Sequence, residues 1–262
     1  CIRDSNISVR LYRVGPMHRV LIAVHVMAAL TVTAGAETVN VAVAANFTDA
    51  ANEIAAAFAD ATEHDAVLSF GATGQFYAQI TQGAPFQVFL AADDERPALA
   101  VREGYAVDGT VFTYAIGQLV LYSAEAGKVM GPETLKADNF QQIAIANPET
   151  APYGAAAVQT MKALDVYDSL ASKIVQGQSI GQAYQFVETG NAEVGFVALG
   201  QVSQTDAGSR WVVPQNLYQP IRQDAVLLKT GEDNPAALAF LDFLKGEEAG
   251  AIIHKFGYAI AR

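Results

Sequence analysis

Hydrophobic and polar positions along this chain repeat one arrangement: a short apolar run, a corner of small or polar residues, then a helical stripe. "TVNVAVAA" (residues 38–45) is β-rich, and residues 47–61 follow with Ile54 and Phe58 four apart, one turn of a helix. "HDAVLSFGA" (64–72) precedes a helix over 75–81 that carries Phe76, Tyr77 and Ile80. "FQVFLAAD" (86–93) precedes a helix over 96–103, "QQIAIANP" (141–148) one over 153–164, and "KIVQGQS" (173–179) one over 181–188. "AEVGFVAL" (192–199) is a further strand. Strands alternating with helices of this length predict an α/β fold with parallel sheets and right-handed crossovers.

Two segments break the rhythm. "TVFTYAIGQLVLYSAE" (110–125) is too long and too β-rich for one ordinary strand, and "NLYQPIRQDAVLLKT" (216–230) is similar. Each is expected to run from one sheet into a second. Two crossings make two lobes, with residues 37–116 and 221–262 in the first and 117–220 in the second. The end, "PAALAFLDFLKGEEAGAIIHKFGY", reads as helical and returns to lobe one. The alternative is a single doubly wound domain.

The start has its own pattern. His18 and Arg19 precede an apolar stretch from Val20 to Thr33, and Ala34-Gly35-Ala36 is a small-x-small cleavage motif. Residues 17–36 therefore read as a secretory signal peptide, with the mature chain starting at Glu37. The apolar stretch is short for a membrane span of roughly 20 residues. Residues 1–16 carry no pattern and are read as upstream translation from a misplaced start.

Removing the leader sharpens the charge. The chain has 16 basic and 27 acidic residues; residues 1–36 hold four arginines and one aspartate, which leaves 12 against 26. Nucleic acid and anionic membrane surfaces are poor partners for such a chain. Cys1 is the sole cysteine, so the mature chain has no disulfide, thiolate or cysteine metal site. A soluble periplasmic or secreted protein fits best.

In parallel α/β sheets, ligands bind beyond the C-terminal ends of strands. Four such corners stand out: Ala45-Asn46, Ala72-Thr73-Gly74, Ala151-Pro152-Tyr153-Gly154 and Ser179-Ile180-Gly181. Two fall in each lobe, and a cleft between lobes would unite them. Each offers the unpaired N–H groups and partial positive charge of a helix start. Asn46 adds an amide and Thr73 a hydroxyl, and no corner holds Lys, Arg or His. Taken singly, Asn46 and Thr73 read as helix caps. Taken jointly, the corners suit a small anion held by neutral donors. Catalytic readings fare worse. His64 and His254 lie away from the corners, and Ser123 and Ser179 have no His or Lys partner in sequence. Asp93-Asp94-Glu95 reads as a solvated acidic turn more readily than as a cation site. There is no glycine-rich nucleotide loop and no zinc spacing.

"VAANFTDAANEIAAAF", "FGATGQFYAQITQGAPFQVFLAADDERP", "ANPETAPYGAAA", "QSIGQAYQFVETGNAEVGFVALGQV" and "AIIHKFGYAI" together resemble the periplasmic molybdate-binding proteins, the solute receptors of molybdate ABC importers. The likeness runs in order from about Val39 to Ala261, and is greatest to a subgroup with Asn-Phe in the first binding loop and "APYG" in the third. It implies a two-lobed periplasmic-binding-protein fold (type II), each lobe a mostly parallel sheet flanked by helices, joined by two crossover segments. It implies a periplasmic receptor, not an enzyme, that closes on molybdate or tungstate and delivers it to the membrane permease of an ABC importer. A monomer with no cofactor is implied. Carried over by residue, Asn46 and Thr73 supply side-chain donors, Tyr153 and Ile180 backbone N–H donors, and Ala45 a further contact. The metal is held as its oxyanion, not ligated directly. The chain departs from the commonest pattern in having Asn46 where many members have Ser, Thr73 in place of the usual Ser, and Ala198 where many have a Tyr that reaches the anion. Asn46 is expected to compensate for that missing hydroxyl. The rival readings are a receptor for sulfate or another tetrahedral oxyanion, and an enzyme on the same scaffold using Asp93 or Asp94.

Overall fold

The structure is a computed structural model that describes residues 35–260. Residues 1–16 and all but the end of the expected leader lie outside the described residues.

The first run of elements follows the predicted alternation: β1 (Thr38–Ala44), a 3₁₀ turn (Ala45–Phe47) leading into α1 (Thr48–Thr62), β2 (Asp65–Gly71), α2 (Thr73–Thr81), β3 (Val88–Leu90), α3 (Glu95–Arg102) and β4 (Phe112–Gly117). The chain then enters a second sheet with β5 (Leu119–Ser123), α4 (Glu133–Ala137), β6 (Ile143–Ala146), α5 (Pro152–Ala163), α6 (Tyr167–Leu170), β7 (Ile174–Gly177), α7 (Ile180–Glu188), β8 (Val194–Ala198), α8 (Leu199–Val202) and β9 (Ser209–Val212). It returns to the first sheet through β10 (Ile221–Leu227) and ends in α9 (Pro235–Leu244) and α10 (Glu247–Lys255).

The sheet orders are β2-β1-β3-β10-β4 and β7-β6-β8-β5-β9. In the first, β1 pairs in parallel with β2 and β3, while β10 is antiparallel to both β3 and β4. The second repeats this scheme, with β6 parallel to β7 and β8, and β5 antiparallel to β8 and β9. In each sheet only the first strand after a crossing runs against the others, so each sheet is mostly parallel.

Helices cover both faces of the first sheet, which is why β1 is apolar and buried from Val41 to Ala44. Val39, Val41 and Val43 pack with α1, α9 and α10, whereas Ala42 faces Phe76 and Phe89 on the other side. Helix α1 buries Ala50, Ala51, Ile54 and Phe58 along one stripe. Phe58 meets Phe240 edge to face, with ring centroids 5.2 Å apart. Burying such a ring contributes roughly 1.5–3 kcal/mol. The core of the second lobe includes Leu119, Leu121, Ile143, Ile145 and Phe196 and reaches across to Ala45, Ala72 and Ala92 of the first.

The two crossings differ from each other. Residues 110–125 do run from sheet to sheet, broken only at Gln118 between β4 and β5. Gly117 at this point has no room for a side chain, because a Cβ there would overlap the Tyr153 hydroxyl. The second segment does not cross as one strand. β9 ends at Val212, residues 215–217 form a 3₁₀ turn, and β10 starts at Ile221. Pro214 and Pro220 cannot donate to a ladder, which interrupts the strand there. The helical end is likewise two helices, parted at Lys245-Gly246.

Candidate functional site

The C-terminal ends of β1, β2, β6 and β7 point at the seam between the sheets, and each hands over to a helical start. Ala45, Asn46, Thr73, Tyr153 and Ile180 all line one small pocket at that seam, with Ala44, Gly71, Ala72, Ala92, Ala151 and Pro152. It is tightly closed, with a cavity volume of about 10 Å³. The five predicted residues come from four corners far apart in sequence, and the fold brings all five together. No lining residue is charged.

Neither polar side chain caps a helix. Asn46 sits inside the 3₁₀ turn, and the N-caps of α1 and α2 are Phe47 and Ala72, with no side-chain cap bond. The capping reading of Asn46 and Thr73 is thus corrected: their side chains turn inward, where they are 3% and 1% exposed. The Thr73 hydroxyl accepts the Ala92 N–H at 3.0 Å. A hydroxyl that accepts still has its own proton to donate.

The second lobe supplies backbone donors. Pro152 opens α5 and has no N–H, so Tyr153 offers the first one. Ile180 is the first residue of α7, whose N-cap Ser179 accepts from Gln182 N–H at 3.3 Å. Amides at these positions have no acceptor within their own helix. A Cβ added at Gly154 would overlap the Ala146 carbonyl, so only glycine lets α5 start this close to β6.

Behind the pocket lies a buried polar cluster that the sequence did not single out. Asn46 Nδ2 donates to Gln223 Oε1 at 2.6 Å and to Tyr258 Oη at 3.3 Å, and Tyr258 in turn donates to the Asn46 carbonyl at 2.6 Å. Tyr114 Oη donates to the Ala91 carbonyl at 3.0 Å and lies 3.4 Å from Gln223 Oε1. Burial pushes the Tyr114, Tyr153 and Tyr258 hydroxyls further up from their usual range, so they stay protonated. Three buried polar atoms here have no partner: Asn46 Oδ1, Gln223 Nε2 and Tyr153 Oη. A signal for Gln223 did exist, a polar residue on the inward positions of β10. There a bulge at Gln223/Asp224 turns both residues inside. Ala198, the position of the missing hydroxyl, is buried at the end of β8 and is not among the lining residues. Tyr258 presses its ring against Gly200, two residues on.

The lobes touch around the pocket. Gly74 N–H donates to the Thr150 carbonyl at 2.8 Å, and Gln75 Nε2 to Gln178 Oε1 at 3.1 Å. Arg96 reaches the Glu149 carbonyl at 3.2 Å, and Gln204 the Lys255 carbonyl at 2.7 Å. A larger crevice of about 390 Å³ adjoins the pocket, lined among others by Asp93, Asp94, Arg96, Glu149 and Arg222. Its acids are unsuited to an anion, and Asp93 and Asp94 are tied up in ion pairs with Arg96 and Arg222. Burial raises the Asp93 carboxyl, and the Arg96 contacts oppose that. Neither acid lines the small pocket.

The family model for bacterial extracellular solute-binding proteins matches residues 39–259. The chain belongs to that family. It is 56% identical over 229 residues to the molybdate-binding protein ModA of Rhodobacter capsulatus, covering 87% of this chain and 91% of that one. It is 53% identical over 235 residues to ModA of Azotobacter vinelandii, covering 88% and 93%. Its structure is similar to that of the Azotobacter vinelandii periplasmic molybdate-binding protein, with a TM-score of 0.83, 41% identity, and 86% and 100% of the two chains covered. Likeness to the sulfate-binding protein SubI of Mycobacterium tuberculosis, at 13% identity and a TM-score of 0.72, shows the shared fold alone. As a solute-binding protein, the chain is a receptor rather than an enzyme.

Proposed function

We propose that this solute-binding protein captures molybdate between its two lobes outside the cytoplasm and delivers it to the membrane permease of an ABC importer. The observation that carries this reading is the convergence of four strand-to-helix corners on one uncharged pocket. The names of the relatives at 56% and 53% identity supply the ligand class. Tungstate, with the same shape and charge, is the second expected ligand. Ala45, Asn46, Thr73, Tyr153 and Ile180 form the binding site. The Thr73 hydroxyl and the Tyr153 and Ile180 amides donate to the oxygens, and helix dipoles face the charge. Each bond to a charged group contributes roughly 1.5–3 kcal/mol, and several together offset the cost of removing the dianion from water. Residues 37–116 with 221–262, and residues 117–220, act as the two closing bodies, with motion at the crossings. The protein works as a monomer in the periplasm, exported by a cleaved leader.

Thermal unfolding with molybdate, tungstate, sulfate and phosphate tests the reading. A ligand at 100 times its dissociation constant adds about 2.7 kcal/mol of stability. A rise with molybdate and tungstate and none with sulfate or phosphate is expected; no rise with molybdate overturns the proposal.

A further inference from the structure

We infer that Gln223 is a positioning residue for the anion site: it sets which end of the Asn46 carboxamide faces the pocket. The inference rests on the reading of the pocket as an oxyanion site.

As the side chains stand, Asn46 spends its amide nitrogen on Gln223 and Tyr258. The end left over is Oδ1, buried and without a partner. An acceptor there would repel an anion. Gln223 is fully buried, and its Nε2 is also without a partner, so the pair carries one orphan acceptor and one orphan donor. A carboxamide keeps its shape when it turns by 180°, exchanging donor and acceptor. Turning both groups preserves the 2.6 Å contact with its direction reversed. Gln223 Nε2 then donates to Asn46 Oδ1, and its second hydrogen points to the Tyr114 hydroxyl, which still donates to the Ala91 carbonyl. Asn46 Nδ2 takes the place of the orphan oxygen and becomes a donor for the anion. Gln223 Oε1 takes the side next to Gly117, where the partnerless Tyr153 hydroxyl also lies. The reversed arrangement thus offers a partner to all three orphan atoms once an anion is bound, which the present one does not; it gives up the 3.3 Å bond from Asn46 Nδ2 to the Tyr258 hydroxyl, the longest of the Asn46 contacts in the cluster.

The pair also ties the pocket to the moving parts. Asn46 is in lobe one, Gln223 lies on β10 three residues past the second crossing's last proline, and Tyr153 reaches from lobe two to Gly117 at the first crossing. The Asn46 side chain is therefore oriented by a residue seated between both crossings.

The test uses wild-type protein and Gln223→Met, which keeps the length of the side chain and removes both polar functions. Titration calorimetry with sodium molybdate is expected to show the variant binding about 10- to 100-fold more weakly, the value of one charge-assisted donor. Its unfolding temperature without ligand should stay close to wild type. Side-chain amide NMR of the wild type gives a second readout that needs no variant. Added molybdate should shift the NH₂ pairs of both Asn46 and Gln223, and a contact from the Gln223 NH₂ to Tyr114 should appear. Unchanged affinity in Gln223→Met, or a Gln223 NH₂ pair that does not move when molybdate binds, overturns the inference and leaves the anion reading standing. Failure of the wild type to bind any oxyanion overturns both.

Discussion

Closure of the lobes should hinge on the absence of a side chain at Gly74. This residue is second in α2 and has ordinary helical backbone, so nothing in its own lobe requires glycine. Alanine there would favour the helix by up to about 1 kcal/mol. The closed seam is a different matter. A Cβ at Gly74 would lie 3.0 Å from the Thr150 Cα and 3.1 Å from Arg96 Nη2. The arginine can swing away, but Thr150 is backbone, fixed by the Gly74 N–H bond to its carbonyl at 2.8 Å. Overpacking of this kind costs about 1–3 kcal/mol. The Thr150 contact exists only where the lobes meet, so its cost falls on the ligand-closed state; Arg96 belongs to the same lobe as Gly74 and moves aside in either state. Gly74→Ala should therefore raise the dissociation constant for molybdate about 5- to 150-fold, and Gly74→Val should raise it further. Without ligand, the unfolding temperature of Gly74→Ala should equal or exceed that of wild type. Calorimetric titration alongside thermal unfolding checks both halves. An affinity within about 2-fold of wild type, a difference under roughly 0.5 kcal/mol, would refute the argument that closure needs this contact.

Two further outcomes follow from the same geometry. Thr73→Ser should bind molybdate nearly as wild type does. Thr73→Val should lose about 10-fold or more, since it removes a pocket donor and the acceptor of Ala92 N–H; equal binding by Ser and Val variants in a titration would contradict this. Glu193 lies between β6 and β8 and accepts the N–H groups of Gln141 and Gln142, both at 2.9 Å. Burial pulls its carboxyl up, but these two donors, its own backbone N–H and the charge of Lys128 together outweigh that and hold it below its ordinary value of 4.5. A depressed carboxyl contributes stability above its unfolded value and loses it as the pH falls through the folded one. Glu193→Gln should cost about 1 kcal/mol at pH 7, with the gap to wild type closing below about pH 4. Denaturant unfolding across that range decides it, and a gap independent of pH would count against the assignment.

What the sequence made legible were local signals. The apolar runs of β1, β2, β6 and β8 are uniform enough to read, and each of the five pocket residues sits at a corner where a strand pattern stops and a helix pattern starts. The short edge strand β9, "SRWV", has no such contrast, and the break in the second crossing is marked only by Pro214 and Pro220. The polar cluster was illegible for another reason. Asn46 meets Gln223 across 177 positions and Tyr258 across 212. Those contacts depend on the register of β10 beside β4, on a bulge in that register, and on where α10 ends. No window of sequence contains that information. The cap reading of Asn46 failed on the same ground, because a local partner was assumed for a side chain whose partners are remote.

The acidity of the chain and the anion reading of the pocket are compatible because they act at different ranges. Sixteen basic and 27 acidic side chains leave a net negative surface, but exposed charges more than about 10 Å away are largely screened at ordinary ionic strength. On the anion reading, the donors in the pocket act at contact distance and out of water, where they are worth several times more. The nearest acids, Asp93 and Asp94, are matched by Arg96 and Arg222 in the neighbouring crevice. Lysines placed in the pocket itself would bind any anion of the right charge, since an ammonium is a point charge that asks little of shape. Fixed amides and a hydroxyl instead require oxygens at set positions. Neutral donors thus make geometry, not charge, the basis of selection. An acidic surface outside the pocket does not weaken that selection, because its screened repulsion acts alike on every anion of the same charge.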